Sequence, residues 1–515
     1  MLCQQKYVAL GGGLNLKLKI VLLPLDERPC NAAFTSKLFG GPDVTIKTPE
    51  FMGWKKEAAD PEKIFSFLYK ECQDADGLIL SIDMLLYGGL IPSRIHFLDF
   101  ETIQRRLDWV RQLKNTFPQM TIYAFQCIMR CPAYSSSEEE PDYYGRYGQE
   151  IHSSGNKKHQ YMLGLCEEEE VKKAIEAIAP TALNDYLNRR ALNLEFNKKA
   201  LELVRDEVLD FFVIPQDDSA KYGYTALDQQ EIRNKIIEMH LQTKVLMYPG
   251  ADEVALTLMS RMLLKFHGRY PSVYLRYAAH AAYDIIPAYE DRTLGETVKC
   301  QIMAAGCRLI DTIAEADFVL AIDCPAGEMK EAFQQPVRNA DYCTERNLTE
   351  FVLFIADCVR DGKPVAICDN AYVNGGDLEL IDLLEHMGLL DRLSGYAGWN
   401  TSSNTMGTAI AEGVYRYLFG ETTKLKSFLA LRYLEDVGYC SVVRWHINEN
   451  KLKAMGMDYF DVHEERGVIS HEVHRQLEQF AKQKLTSICE HICLQDVRMP
   501  WRRMFETDLT VHWIP

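Results

Sequence analysis

A chain of 515 residues exceeds what one ordinary hydrophobic core holds, which implies roughly two or three structural units. With 47% hydrophobic and 25% charged residues it has the usage of a globular protein, which excludes disordered, collagen-like and coiled-coil chains. Its 57 Lys and Arg against 73 Asp and Glu leave a net charge of −16, which repels a phosphate backbone, so no nucleic-acid partner is expected. The 15 cysteines are scattered without paired CxxC spacing and read as free thiols of a reducing compartment. No run approaches the ~18 apolar residues needed to cross a bilayer. The opening stretch, broken by Gly11, Gly12 and Gly13 and by Lys17 and Lys19, lacks the apolar centre of a secretion signal. The expectation is a cytoplasmic protein without a membrane partner, with a disordered leader over 1–17.

From Leu18 the chain alternates short apolar runs with helical stretches. Strands are expected at 19–25, 77–82, 121–129, 210–215 and 244–247, with helices at 62–73, 100–117, 194–208 and 228–240. Each strand run is mostly unalternating, as expected of a strand covered on both faces, and each ends in a polar cluster. The acidic run 167–170 opens a helix and complements its dipole. A second series follows, with strands at 272–278, 307–311, 317–322, 364–368 and 394–398 and helices at 294–305, 349–360, 378–387 and 404–418. From 421 onward the pattern is mainly helical, with a strand-like segment at 441–445. The expected fold class is α/β. A parallel-sheet domain, barrel-like or open, spans 18–268; a doubly wound domain spans 269–420; a mainly helical region spans 421–515.

Ligands of parallel sheets sit at the carboxyl ends of the strands, so the polar clusters there are the candidate site. After the first strand come Asp26, Arg28 and Asn31, stiffened by Pro24 and Pro29. They suit hydrogen bonds to a polyhydroxylated or anionic ligand, or else a helix cap with a surface ion pair. Asp83 follows a buried strand directly and needs a partner, for which Arg94 is the candidate; Gly88 and Gly89 permit unusual backbone angles nearby. The third strand end brings Arg130 and then a loop with Tyr134, Tyr143, Tyr144 and Tyr147, flat side chains that cover a sugar ring or pack an interface.

The fourth strand end, Gln216-Asp217-Asp218-Ser219, is the sharpest. Adjacent carboxylates raise the pKa of one member, which is what a general acid needs near neutral pH. Helix capping and divalent-cation binding are the competing readings. The pair resembles that of retaining hexosaminidases, in which one acid polarises the substrate's acetamide and the next protonates the leaving oxygen. At the fifth end, Asp252 reads as a helix N-cap and Glu253 as a dipole partner or ligand contact. The cluster 289–292, with Tyr289 and Glu290, closes the site or caps a helix. Asp369 and Asn370, and then Trp399, Asn400 and Asn404, have the make-up of a sugar site or of hydrogen-bonded turns. GxGxxG at the first strand, GxxxxGK[ST], HExxH and GxSxG are all missing, so dinucleotide, nucleotide triphosphate, zincin and serine-hydrolase readings lose their usual support.

Pro24-Leu-Asp-Glu-Arg-Pro-Cys-Asn31, Gln216-Asp-Asp218, Tyr248-Pro-Gly-Ala-Asp-Glu253 and Gly398-Trp-Asn-Thr401 with Asn404-Thr405 together resemble the bacterial family named domain of unknown function 4127. The resemblance runs from Leu18 to the C-terminus. It implies that these segments build one site, and it brings no activity, substrate or catalytic residue with it. The reading is therefore a glycosidase-like hydrolase of a small sugar conjugate, plain or N-acetylated, working without a cofactor. Asp217 and Asp218 form the polarising and acid pair; Tyr222, Trp399 and Asn400 orient the sugar; Arg28, Arg94 and Arg130 meet carboxylate or phosphate groups. One alternative places Mg²⁺ or Mn²⁺ on the same aspartates, with Asp26 and Asp83, in a metal-assisted hydrolase or isomerase. Another is a two-domain protein that closes on a metabolite without catalysis.

Overall fold

The computed structural model describes residues 17–337 and 340–515, so residues 1–16 of the expected leader lie outside the described residues. Six parallel strands form the first sheet: β1 (Leu18–Leu23), β2 (Val44–Lys47), β3 (Gly77–Ser81), β4 (Thr121–Phe125), β5 (Phe211–Gln216) and β6 (Val245–Pro249). Their spatial order is β2-β1-β3-β4-β5-β6. β3, β4 and β5 are buried at every position, as continuous apolar runs require.

The longer helices of this half are α1 (Pro61–Glu71), α2 (Phe100–Thr116), α3 (Tyr144–Met162), α4 (Pro180–Arg205), α5 (Tyr224–Glu238) and α6 (Val254–His267). Their starts are set by side chains. Asp60 accepts from the Glu62 N–H at 3.0 Å with Pro61 in the first turn, and Asp99 accepts from the Thr102 N–H at 2.7 Å. α4 begins well before the expected 194 because its buried face carries Arg189, Arg190, Asn193 and Asn197, which blur the apolar period. α3 takes the place of part of the expected tyrosine loop: Tyr144 and Tyr147 are helical, and Tyr144 packs on Tyr186 at 5.8 Å.

The second sheet comprises β7 (Ser272–Tyr277), β8 (Arg308–Ile310), β9 (Phe318–Asp323), β10 (Val365–Asp369) and β11 (Gly395–Ala397). Its order β8-β7-β9-β10-β11, all parallel, repeats the connectivity of the first five strands of the first sheet. Between and after these strands lie α7 (Leu294–Ala304), α8 (Leu348–Arg360), α9 (Leu378–His386) and α10 (Ser402–Phe419).

α11 (Thr423–Arg432) runs on through wide helical turns, Tyr433–Val443, into Arg444–Ile447, so the strand expected at 441–445 is helical. Ten of the eleven residues in Tyr433–Val443 are buried, charged Glu435 and Asp436 among them, and a helix buried on all sides shows no amphipathic period. α12 (Val468–Lys484) then leads to an antiparallel hairpin of β12 (Ile492–Arg498) and β13 (Asp508–Trp513), with a bulge between Leu494 and Asp496.

A single apolar cluster extends from β1 through α6 and the second sheet to Trp513, and another covers the opposite face of the first sheet beneath α1, α2 and α4. The halves meet where α6 crosses α10. There Gly407 is required, because a Cβ would stand 2.3 Å from Glu253 Cγ. Among the described residues, no helix is long and apolar enough to cross a membrane.

Candidate active site

The carboxyl ends of strands from both sheets border one cleft of about 320 Å³. The first half supplies Arg28 after β1, Arg130, Tyr134 and Glu139 after β4, Asp217 and Asp218 after β5, and Asp252 after β6. The second half supplies Tyr289, Asn374 and Asn400, and the C-terminal region closes the wall with Tyr459, Phe460, Arg503 and Phe505.

Arg94 and Arg130 hold the aspartate pair. Asp217 Oδ2 accepts from Arg94 at 2.6 Å and from Arg130 at 3.4 Å, and Asp218 Oδ2 accepts from Arg130 at 2.8 Å. Both guanidinium groups are anchored from behind by Glu140, at 2.7 Å from Arg130 and 3.5 Å from Arg94. Glu139 accepts from Arg130 at 2.9 Å, from Arg94 at 3.2 Å and from Arg503. Burial alone would raise the Glu139 carboxyl, but the Arg503, Arg130 and Arg94 guanidinium groups outweigh it and hold the group well below the usual range. For Asp218 the balance reverses. Burial first, and the neighbouring Asp217 second, push it up to about 7 against the pull of Arg130 and Arg94.

A second ion cluster forms the adjoining wall. Arg28 donates to Asp26 at 2.7 Å and to Asp252 at 2.6 Å, and Asn31 Nδ2 donates to both carboxylates at 2.9 Å. Asn400 Nδ2 donates to the Asp252 carboxylate at 3.1 Å, and Asn404 Oδ1 accepts from the Asp252 N–H at 3.1 Å, so the second half grips this residue by side chain and backbone. The Trp501 ring lies 5.0 Å from the Arg28 guanidinium and 4.4 Å from that of Arg503. Arg503 also donates to Glu506 at 3.1 Å, a carboxyl that burial pushes up to about 7.

Backbone strain gathers at the same place. Asp218, Tyr289, Asn374 and Asn400 all line the cleft with positive φ, at 43°, 65°, 63° and 52°. Such conformations persist only where surrounding structure imposes them, and they concentrate at functional sites. Here the Ser219 N–H donates to the Tyr289 carbonyl at 2.9 Å, and the Asn374 N–H donates to the Asn400 carbonyl at 2.8 Å.

Several expected site residues lie elsewhere. Asp83 does not pair with Arg94, whose guanidinium is taken by Asp217 and the two glutamates; it accepts from the Cys127 N–H at 2.8 Å, and burial pushes it up to about 7. Gly88 ends the short helix Ile82–Tyr87 at φ 87°, so that glycine serves a turn. Tyr222 is outside the cleft lining, edge-on to His159 at 5.6 Å. Glu253 is buried at the α6–α10 crossing, where it accepts from Gln301 at 2.7 Å and burial pushes it up to about 8. Asp369 accepts from the Tyr396 hydroxyl at 2.6 Å and the Asp377 N–H at 2.7 Å, and Asn370 beside it is buried off the cleft. Trp399 is a core residue, edge-on to Phe34 at 5.7 Å, with its ring N–H on Thr408. Of the four tyrosines only Tyr134 lines the cleft.

Conversely, Asp252 pairs with Arg28 instead of capping α6; Arg503 and Glu506 carried no strand-end signal, and Glu139, in the loop after the third strand end, was not singled out. No curated protein matches the chain. A family's sequence model does match, over residues 20–510, and the chain belongs to that family, described as protein of unknown function (DUF4127).

Proposed function

We propose that the protein is a hydrolase of a small sugar conjugate, glycosidase-like, with Asp218 as general acid and Asp217 as the group that orients and polarises the substrate. The observation that carries this reading is the aspartate pair on the cleft wall, with Asp218 raised to about 7 by burial and by Asp217. In the acetamide-assisted form, the carbonyl oxygen of an N-acetyl group attacks the anomeric carbon as the glycosidic C–O bond breaks, and the leaving oxygen takes the Asp218 proton. Asp217 accepts the amide N–H, and water then opens the cyclic intermediate while returning a proton to Asp218. Asn400, Asn374 and the half-exposed Tyr134 and Tyr289 supply the hydrogen bonds and flat surface for the ring.

The donor set favours this over the metal-assisted alternative. The guanidinium groups of Arg94 and Arg130 stand where a cation on Asp217 and Asp218 would sit, and like charge opposes it. The test is hydrolysis of a panel of chromogenic glycosides, N-acetylhexosaminides included, by the wild type, Asp217→Asn and Asp218→Asn, with and without EDTA. The expected result is turnover that survives EDTA and falls about 10²–10⁴-fold in Asp218→Asn. Turnover lost to EDTA and restored by Mg²⁺ or Mn²⁺ would move the aspartates to a metal site; silence across the panel from folded protein would remove the glycosidase reading.

A further inference from the structure

The C-terminal wall of the cleft is shared with a second cavity. Asn374, Tyr459 and Phe505 line the cleft on one side and line this second cavity, of about 430 Å³, on the other. Each cavity falls in the size range of a small-ligand pocket. The far wall of the second is a stacked aromatic pair, Phe333 and Trp445, with ring centroids 4.5 Å apart and planes inclined by 13°. Both rings stay open to solvent, at 40% and 42% exposure. One exposed aromatic calls for no explanation. A stacked pair walling a cavity that adjoins a carboxylate-lined cleft is a platform for a flat ligand face.

The polar groups of the lining are already braced. Glu331 accepts from Asn374 Nδ2 at 3.0 Å and from the Tyr289 hydroxyl at 2.8 Å, which ties the second cavity to two residues of the cleft. Arg444 donates to the carbonyls of Asn374 and Phe505, both at 2.6 Å, and so fixes the partition between the compartments. Asn448 adds an amide to the lining. Aromatic faces edged by amide and carboxylate groups match a sugar ring, apolar on its C–H face and rimmed by hydroxyls.

We infer that this compartment is a second subsite that holds the next sugar ring of an extended conjugate, stacked on Trp445 while the reacting ring sits against Asp217 and Asp218. The inference rests on the proposed function and narrows its substrate class to conjugates of at least two sugar units. The experiment is calorimetric titration of the Asp218→Asn protein, which holds a substrate intact, with N-acetylglucosamine, N,N′-diacetylchitobiose and p-nitrophenyl N-acetyl-β-glucosaminide, repeated in the Trp445→Ala and Phe333→Ala backgrounds.

The expected result is a disaccharide affinity at least tenfold above that of the monosaccharide. Trp445→Ala should abolish that gain while leaving monosaccharide affinity within twofold, and Phe333→Ala should reduce it. Equal affinity for the two sugars, or a Trp445→Ala loss shared equally by both, would overturn the subsite and leave the proposed function standing. A gain confined to the nitrophenyl compound would overturn the sugar assignment in favour of an aromatic one. Failure of all three compounds to bind folded protein would count against the subsite and the glycosidase reading together.

Discussion

Arg130 donates at once to Glu139, Glu140, Asp217 and Asp218, so its removal strips four carboxylates of a shared cation. Arg130→Met should destabilise the protein by about 3–5 kcal/mol, because Glu140 stays fully buried with one guanidinium fewer. The measurement is the urea unfolding free energy; a loss under about 1 kcal/mol would show that the cluster relaxes without Arg130. Since Arg130 also pulls the Asp218 carboxyl down, the same variant should move the alkaline limb of any activity to higher pH. At this scale the residues legible in the sequence are those at strand ends, where position follows from the strand itself: Arg28, Arg130, Asp217, Asp218 and Asn400 all border the cleft. Glu139 and Arg503 were not legible, because each stands in irregular chain placed only by long-range packing. Trp399 misled because a buried Trp and a ligand-facing Trp follow the same kind of turn.

The crossing of α6 on α10 positions the second half against the first-sheet strand ends. Asp252 stands just before α6, Asn400 and Asn404 stand at the start of α10, and their contact joins the two halves at the cleft. Gly407→Ala would drive a methyl into Glu253 Cγ and Thr257 Oγ1, with ideal separations of 2.3 Å and 2.9 Å. The expected cost is about 1–3 kcal/mol of stability, read from urea unfolding, with ligand affinity weakened through Asn400 and Asn404. An unchanged unfolding midpoint would mean that the two helices part at no cost. The alternation of strand and helix was readable because buried strands are short continuous apolar runs bounded by polar turns. β2 escaped because its four residues, Val44–Lys47, include only one fully buried side chain. The β12–β13 hairpin escaped because its half-exposed strand alternates weakly and carries a bulge.

Taken whole, the molecule keeps many carboxyls in its interior. Burial pushes Asp83, Glu290, Asp436 and Glu506 up to about 7 and Glu253 to about 8. A carboxyl whose folded pKa exceeds its unfolded value binds its proton more tightly when folded. Its contribution is complete below about pH 4 and is lost as pH rises through 7 to 8, each group giving a slope of up to about 1.4 kcal/mol per pH unit. The melting temperature should therefore fall from pH 5 to pH 8, and Glu253→Gln should flatten part of that fall; a profile that rises over this range would contradict the assignment of protonated interior carboxyls. The formal charge of −16 works in the same direction, since self-repulsion grows as these groups ionise. The proposed reaction depends on the same chemistry, because in it Asp218 must carry a proton to act as an acid. The most direct measurement is kcat/KM from pH 5 to pH 9 for the panel glycoside turned over fastest, in the wild type and in Asp218→Asn. The account predicts a wild-type value that falls as pH rises through about 7, with Asp218→Asn at least about a hundredfold lower and without that limb. Wild-type activity that climbs through pH 7, or an Asp218→Asn protein with full turnover, would contradict it.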